Sequence, residues 1–449
     1  MDGFKEILHI FNESCKALKS YVNSVEIILL SQNEEASTDK NLAILYSMYA
    51  AHKISKHEKP FLEYIHDYAI NDDKLIWEAG KTKNINKISS EFESFMSELI
   101  FFKGDDLVAA PNVAKHIEKQ IKQQRLKNAS SSLLYESVLI SSVIYFENLI
   151  SSCLKYYINE HPEIISIDNK NISFKELKAY ENIDDARKHI IEKEVQLIMY
   201  NSFEGWMDYI EKTISLKLDF WKNDKDEITE IFQTRNLFVH NGGVVNDIYL
   251  QKVRENEYIS GEKIKLSKDY ILSATRRLEE SGTILLLYLW RKLKKSEKEF
   301  RFEVFHYLAY EYMEEEQWAF AEILYKELLA NETINDEANS LMTKINYIQC
   351  LKWQNKKEDF EYEINTIDFS LYDKKYKIVG YALKDEVDEF IAMLPDIVTS
   401  KDISIDNINE WPIFREFRKN EEVAKKIGEL IPHNLVVKEL IKVNEKSVS

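Results

Sequence analysis

Apolar residues recur along this chain at alternating spacings of three and four, which places them on one face of an α-helix. One such stripe occupies residues 4–28, and a second in residues 139–157 keeps a 4-3-4-3-4 rhythm suited to helix–helix packing. A third occupies residues 271–293. These stripes predict long amphipathic helices and an all-α fold.

Composition agrees with a helical class and limits the kinds of partner. The 449 residues include only 10 Gly and 6 Pro, which argues against a loop-rich or β-rich protein. A formal net charge of −17 disfavours broad nucleic-acid binding, so an RNA site would need a local basic patch. The basic run from Lys115 to Lys127 is either such a patch or a solvated linker helix, and the second interpretation is favoured.

Breaks in the helical rhythm predict three parts. These are an N-terminal helical region at 1–128, a central domain at 129–297 and a C-terminal helical domain at 298–449. A turn at Gly104-Asp105-Asp106, followed by Pro111, precedes the first boundary. The central domain is expected to hold four main helices. The C-terminal domain is expected to hold helical hairpins, with one helix over 375–394 that ends at Pro395.

Spacing in the C-terminal domain resembles the tetratricopeptide repeat. Large, small and aromatic residues occupy the offsets of that repeat at Phe305, Leu308, Ala309, Tyr312, Ala321, Tyr325 and Leu328. A second unit over 337–368 is degenerate. The resemblance implies a short tetratricopeptide-like region that offers a surface to a regulatory protein, and a plain helical hairpin remains the alternative.

The most distinctive stretch runs from Arg235 to Gly243, with the sequence RNLFVHNGG. Upstream apolar residues Ile228, Ile231 and Phe232 set a helical stripe that also contains Val239 and, unexpectedly, Arg235. The two glycines predict the end of the helix, because glycine readily adopts the left-handed conformation. The helix is therefore expected to carry an Arg, an Asn and a His to its C-terminal end.

This stretch resembles the signature of the HEPN superfamily, in which an Arg and a polar residue precede a His. Here four residues separate Arg235 from His240, and Asn236 fills the polar position. The resemblance covers residues 129–297. It implies a four-helix domain and a metal-independent endoribonuclease whose cleft forms in a homodimer. Arg235, His240 and Asn236 would be catalytic, while Asn241 and Glu147 would contact substrate.

The residue types suit RNA cleavage through a 2′,3′-cyclic phosphate. Histidine titrates near neutral pH and can move protons, and we expect His240 to act as the general acid. Arginine stays charged and offers paired donors to phosphate oxygens. Neither a cofactor nor a metal is expected, and His52, His57 and His66 lack the spacing of one metal-binding face. The resemblance further implies a toxin or an effector of defence against phage.

The same residues also have a purely structural interpretation. Arg235 would be a buried arginine paired with a carboxylate, His240 a helix-capping group, and Glu147 an ordinary ion-paired acid. The protein would then be an inactive helical scaffold for interactions. In either case we expect a cytoplasmic protein without a membrane segment. Its three scattered cysteines fit a reducing compartment, and no uninterrupted apolar stretch of about 18 residues occurs.

Overall fold

A computed structural model describes the chain, and the fold is all-α as predicted. The described residues contain sixteen α-helices and divide into two compact units, residues 1–283 and 284–449. The structure describes residues 3–34, 100–103, 106–109, 111–166, 171–218, 221–222, 224–253, 257–332, 334 and 336–430. The histidines at 52, 57 and 66 lie outside these ranges.

The described part of the first unit contains ten helices and strands, besides a 3-10 turn over Pro162–Ile165, and the last of the ten continues past residue 283. They are α1 (Gly3–Glu34), β1 (Ile100–Lys103), β2 (Asp106–Ala109), α2 (Pro111–Glu160), α3 (Phe174–Leu177), α4 (Ile183–Met199), α5 (Phe203–Thr213), α6 (Lys225–Asn241), α7 (Asp247–Lys252) and α8 (Lys268–Leu293). The two strands form an antiparallel hairpin that pairs Ile100 with Ala109. A capping box begins α3, since Ser173 and Glu176 exchange hydrogen bonds there.

Helix α2 is longer than the sequence pattern indicated. It spans 50 residues and contains both the basic run and the apolar stripe, so the predicted boundary between residues 128 and 129 falls inside one continuous helix. Residues 128–160 are long and apolar enough to cross a membrane by length and composition alone. Half of the 18-residue apolar window in this segment is buried within the protein.

The core of the first unit forms where α1, α2 and α8 meet. The Phe11 and Phe146 rings lie 6.4 Å apart, and both side chains are buried. A Cβ atom on Gly282 would come within 2.6 Å of the side chains of both Leu149 and Phe11. Glycine at this position therefore allows the close approach of α8 to the other two helices.

Three polar contacts join the same helices inside the core. Lys19 on α1 pairs with the fully buried Glu279 on α8 at 2.7 Å. The Asn12 side chain accepts a hydrogen bond from Thr283 at 3.2 Å, and the hydroxyls of Ser142 and Thr275 are 2.8 Å apart. Buried polar groups destabilise a fold unless they are paired, so these contacts also specify how the helices are aligned.

The second unit consists of helical hairpins and short turns. After the end of α8 come α9 (Lys298–Glu314), α10 (Trp318–Asn331), α11 (Glu337–Trp353), α12 (Lys357–Ile364), α13 (Lys374–Lys384), α14 (Val387–Ser400), α15 (Ile405–Glu410) and α16 (Glu421–Leu430). Helices α9 and α10 cover the residues that resemble a tetratricopeptide repeat, and Phe305, Ala309, Ala321 and Tyr325 are buried in them.

The prediction of one helix ending at Pro395 was wrong. Two helices occupy this region, and Asp385 separates them in a left-handed conformation with φ of 59°. Pro395 lies inside α14, which continues to Ser400. Further along, Phe414 and Phe417 are buried in the core of the second unit.

A buried ion pair stabilises the start of the second unit. Arg301 is 1% exposed, and its Nε and Nη2 atoms donate to the two carboxylate oxygens of Glu332 at 3.0 and 2.6 Å. Its Nη1 atom donates to the backbone carbonyl of Lys294 at 3.1 Å. Burial alone would raise the pKa of Glu332, but the hydrogen bonds from Arg301 and Arg291 lower it overall.

Candidate functional site

The candidate site lies at the C-terminal end of α6. Gly242 caps the helix in the left-handed conformation with φ of 59°, as the sequence predicted. Gly243 also has a positive φ of 78°, and a Cβ atom there would lie 2.6 Å from the ring of Phe238. The chain then turns back, since Ile264 donates to the carbonyl of Gly243 at 2.9 Å. These contacts fix the helix end.

The apolar stripe of α6 is buried for only part of its length. Ile228, Ile231 and Phe232 are buried, but Val239, which belongs to the same stripe in the sequence, is 46% exposed. Leu237 fills the core position at this end and packs in a small cluster with Tyr249. The helix therefore emerges from the core beyond Leu237, and Val239, His240 and Asn241 are exposed.

Arg235 lies at the edge of this buried region and forms an ion pair with Glu147 on α2. The Arg235 side chain is 17% exposed and that of Glu147 is 29% exposed, so the pair is only partly covered. The contact joins Nη2 of the arginine to one carboxylate oxygen. The Phe232 ring lies 5.8 Å from the guanidinium carbon, which places an aromatic neighbour beside the charge.

The other motif residues are more accessible. His240 is exposed in the last turn of α6, and Asn236 is partly buried. Asn241 is exposed as well, and its side-chain amide donates to the carbonyl of Val244 at 2.5 Å. Residues five apart in a helix point about 140° away from each other. Arg235 and His240 therefore diverge around α6, with the arginine turned toward α2.

A partly buried carboxylate lies about one turn before the motif. Glu230 accepts hydrogen bonds from the hydroxyls of Thr234, Tyr249 and Tyr270 at 2.6, 3.3 and 3.0 Å. Burial raises the pKa of Glu230, although these hydroxyls oppose the shift. Burial likewise raises the pKa of Tyr249 to about 12. The cluster joins α6 to α7 and α8, so it fixes the position of the motif helix.

The start of α6 is fixed by a second charged group. Arg277 on α8 lies 3.5 Å from Asp224, 2.7 Å from Glu227 and 3.4 Å from Glu280. Burial raises the pKa of Glu280 to about 7, even though Arg277 opposes the shift. Three acids thus share one arginine, and α6 is tied to α8 through both Glu227 and Glu230.

The sequence predicted the motif residues and Glu147 as site residues, and it did not indicate the groups that hold them in place. Thr234 lies one helical turn from Glu230, but Tyr249 and Tyr270 lie 19 and 40 residues away, and no local spacing indicates those two partners. Within the described ranges, no group of three or more His, Cys, Asp or Glu side chains is placed to hold a metal ion. The functional groups at the candidate site are single histidine, arginine, asparagine and carboxylate side chains.

Comparisons of the chain with protein-family models, with curated proteins and with solved structures found no match.

Proposed function

We propose that the protein is a metal-independent endoribonuclease of the HEPN type. The observation that supports this proposal best is the rigid, glycine-capped end of α6, which presents His240 to solvent and carries Arg235 about one turn earlier. A histidine for proton transfer and an arginine for phosphate are the groups that cleavage of RNA without a metal requires.

The proposed reaction is an internal transfer at phosphorus. The 2′-oxygen of the RNA bonds to phosphorus while the bond to the 5′-oxygen breaks, which yields a 2′,3′-cyclic phosphate. His240 donates a proton to the departing 5′-oxygen, and the neutral imidazole of a second copy accepts the proton of the 2′-hydroxyl. Arg235 stabilises the added negative charge on the phosphorane oxygens.

The divergence of Arg235 and His240 supports a cleft shared between two copies. Because they lie on different sides of α6, one chain does not direct both at the same phosphate along that helix. A homodimer through the central domain would bring the histidine of one copy to the arginine of the other. The proposal includes a cytoplasmic location, a role as a toxin or phage-defence effector, and a regulatory protein that binds the C-terminal domain.

A second function is favoured by the ion pair between Arg235 and Glu147. A guanidinium neutralised within its own chain is what an inactive helical scaffold would contain. In that case the central domain would only dimerise or bind other molecules. The two proposals differ in what His240 does, since a scaffold does not need its imidazole.

The test is cleavage of a mixed RNA pool in EDTA by the wild type, His240→Ala and His189→Ala. His189 is an exposed histidine on α4 and serves as the matched control. We expect the wild type and the control to leave 2′,3′-cyclic ends, and His240→Ala to lose at least about a hundredfold in rate. Equal rates for all three proteins would assign the cleavage to a contaminant.

If no purified protein cleaves the pool, overexpression in growing cells is the second measurement. Toxicity of the wild type that His240→Ala abolishes supports an effector that needs a cellular trigger. Growth that is equal for wild type and variant favours the scaffold.

A further inference from the structure

We infer that Glu147 restrains the candidate site by holding Arg235 away from RNA phosphate. The inference rests on the proposed ribonuclease function and adds a regulatory contact to it. It also gives Glu147 a different role from the one the family resemblance implied, which was contact with the substrate. Glu147 is then a positioning residue that competes with the substrate for the arginine.

The geometry of the contact is that of a displaceable partner. Only Nη2 of Arg235 donates to Glu147, whereas a bidentate pair would use two nitrogens. Among the described residues the buried Nε atom of Arg235 has no hydrogen-bond partner. Both side chains keep part of their surface in solvent, at 17% and 29% exposure. One donor of the guanidinium is therefore unused, and the side chain as a whole remains partly open to solvent.

Charge makes Glu147 a competitor of phosphate. A carboxylate and an RNA phosphodiester are both anions, and each binds a guanidinium through the same planar N–H donors. While Glu147 occupies Nη2, a phosphate can reach Arg235 only by approaching a second negative charge. Removal of that charge should strengthen phosphate binding at Arg235.

The packing of α2 keeps Glu147 in place beside Arg235. Glu147 lies on α2 next to Phe146, which is fully buried between α1 and α6, with ring contacts to Phe11 and Phe232. Arg235 is similarly fixed by the Glu230 cluster one turn earlier on α6. Neither backbone position depends on the ion pair alone, so substitution of Glu147 should change the site without unfolding the unit.

The test compares Glu147→Gln with the wild type in steady-state cleavage of a single-stranded RNA oligonucleotide in EDTA. Glutamine keeps the shape and removes the charge. We expect KM to fall about tenfold while kcat changes less than about twofold, because a competing ground-state contact has been weakened. A purely structural role for Glu147 would lower activity and would not lower KM.

Two controls separate this effect from general electrostatics. Glu136→Gln removes the same charge from α2 three turns earlier, at about 16 Å along the helix, and should leave KM unchanged. The double variant Glu147→Gln/Arg235→Gln should show none of the tenfold gain over Arg235→Gln. A gain that persists in the double variant, or that Glu136→Gln reproduces, would overturn the restraint.

Binding of a 2′-O-methyl RNA, which cannot be cleaved, distinguishes failure of the restraint from failure of the function. If the wild type cleaves RNA and Glu147→Gln neither binds more tightly nor lowers KM, the ribonuclease stands and the restraint is wrong. If the wild type is silent but Glu147→Gln binds about tenfold more tightly and cleaves, both are supported. If neither protein binds or cleaves, both fail.

Discussion

Each of the two units contains an ion pair between an arginine and a glutamate, and the two pairs differ in burial and in hydrogen bonding. In the second unit Arg301 and Glu332 are almost completely buried, and every nitrogen of the guanidinium has an acceptor. In the first unit Arg235 and Glu147 are partly exposed, share one hydrogen bond and leave a buried nitrogen unsatisfied. The same two residue types are therefore completely paired in one place and incompletely paired in the other.

This difference separates a structural ion pair from one that is available for chemistry. A buried, bidentate pair has no open edge, and breaking it strands a charge in a region of low dielectric constant. A partly exposed, single contact contributes little to stability and exchanges partners easily. The Arg235 pair has the second set of properties, in agreement with the roles proposed for it.

The largest effect is expected when the buried pair is broken. Arg301→Met should destabilise the second unit by about 3 kcal/mol, because Glu332 then keeps only its 3.0 Å contact with Arg291. Hydrogen exchange of the amides in α9 and α10 measures this loss locally. A change below about 1 kcal/mol would show that burial of the pair does not make it structural.

An intermediate effect is expected at Glu280, where burial and ion pairing oppose each other. Its pKa is raised from 4.5 to about 7 in the folded protein. The folded state therefore holds the proton more tightly, and its stability falls as pH rises from about 4.5 to 7. Glu280→Gln should remove this slope and stabilise the first unit by roughly 2 kcal/mol at pH 8.

The check is urea denaturation of both proteins across this pH range, with Glu299→Gln as the control. Glu299 is an exposed acid near the start of α9. The wild type and the control should lose stability in parallel as the pH rises, while Glu280→Gln should lose less. Parallel curves for all three proteins would contradict the prediction.

The smallest loss of stability is expected when the partly exposed pair of Arg235 and Glu147 is broken. Arg235→Met should lower the stability of the first unit by no more than about 1 kcal/mol, since the contact is single and solvated. Methionine keeps an apolar stem beside Phe232. Thermal unfolding followed by circular dichroism measures the change. A loss as large as that of Arg301→Met would make Arg235 a structural residue and remove support from the ribonuclease proposal.

Local signals in the sequence predicted the helices and several of their ends. The three-and-four spacing of apolar residues and the glycine at 242 each act within a few residues, and the structure contains the helices and the helix end that they predict. Pro395 was misjudged, because a proline removes one donor without ending the helix when the rest of the turn is packed. The sequence predicted a domain boundary inside α2 because the basic and apolar halves of this helix differ in composition.

The candidate site was only partly predictable for a related reason. Arg235, Asn236 and His240 are close in sequence, so a motif identifies them. The ion pair between Arg235 and Glu147 joins residues 88 positions apart, and that between Arg301 and Glu332 joins residues 31 apart. Such pairs depend on how helices are arranged in space, which hydrophobic spacing does not encode. Their contrast in burial is therefore known only from the structure.

The length of α2 has a mechanical consequence. At 1.5 Å per residue, its 50 residues form a rod of about 75 Å, and about 54 Å separate Pro111 from Glu147. A rod of this length acts as a lever. Tilting it by about 5° around Glu147 would displace its first turn by nearly 5 Å, close to the rise of one helical turn. Conversely, a ligand that moves the first turn by that distance rotates the helix at Glu147 by only a few degrees.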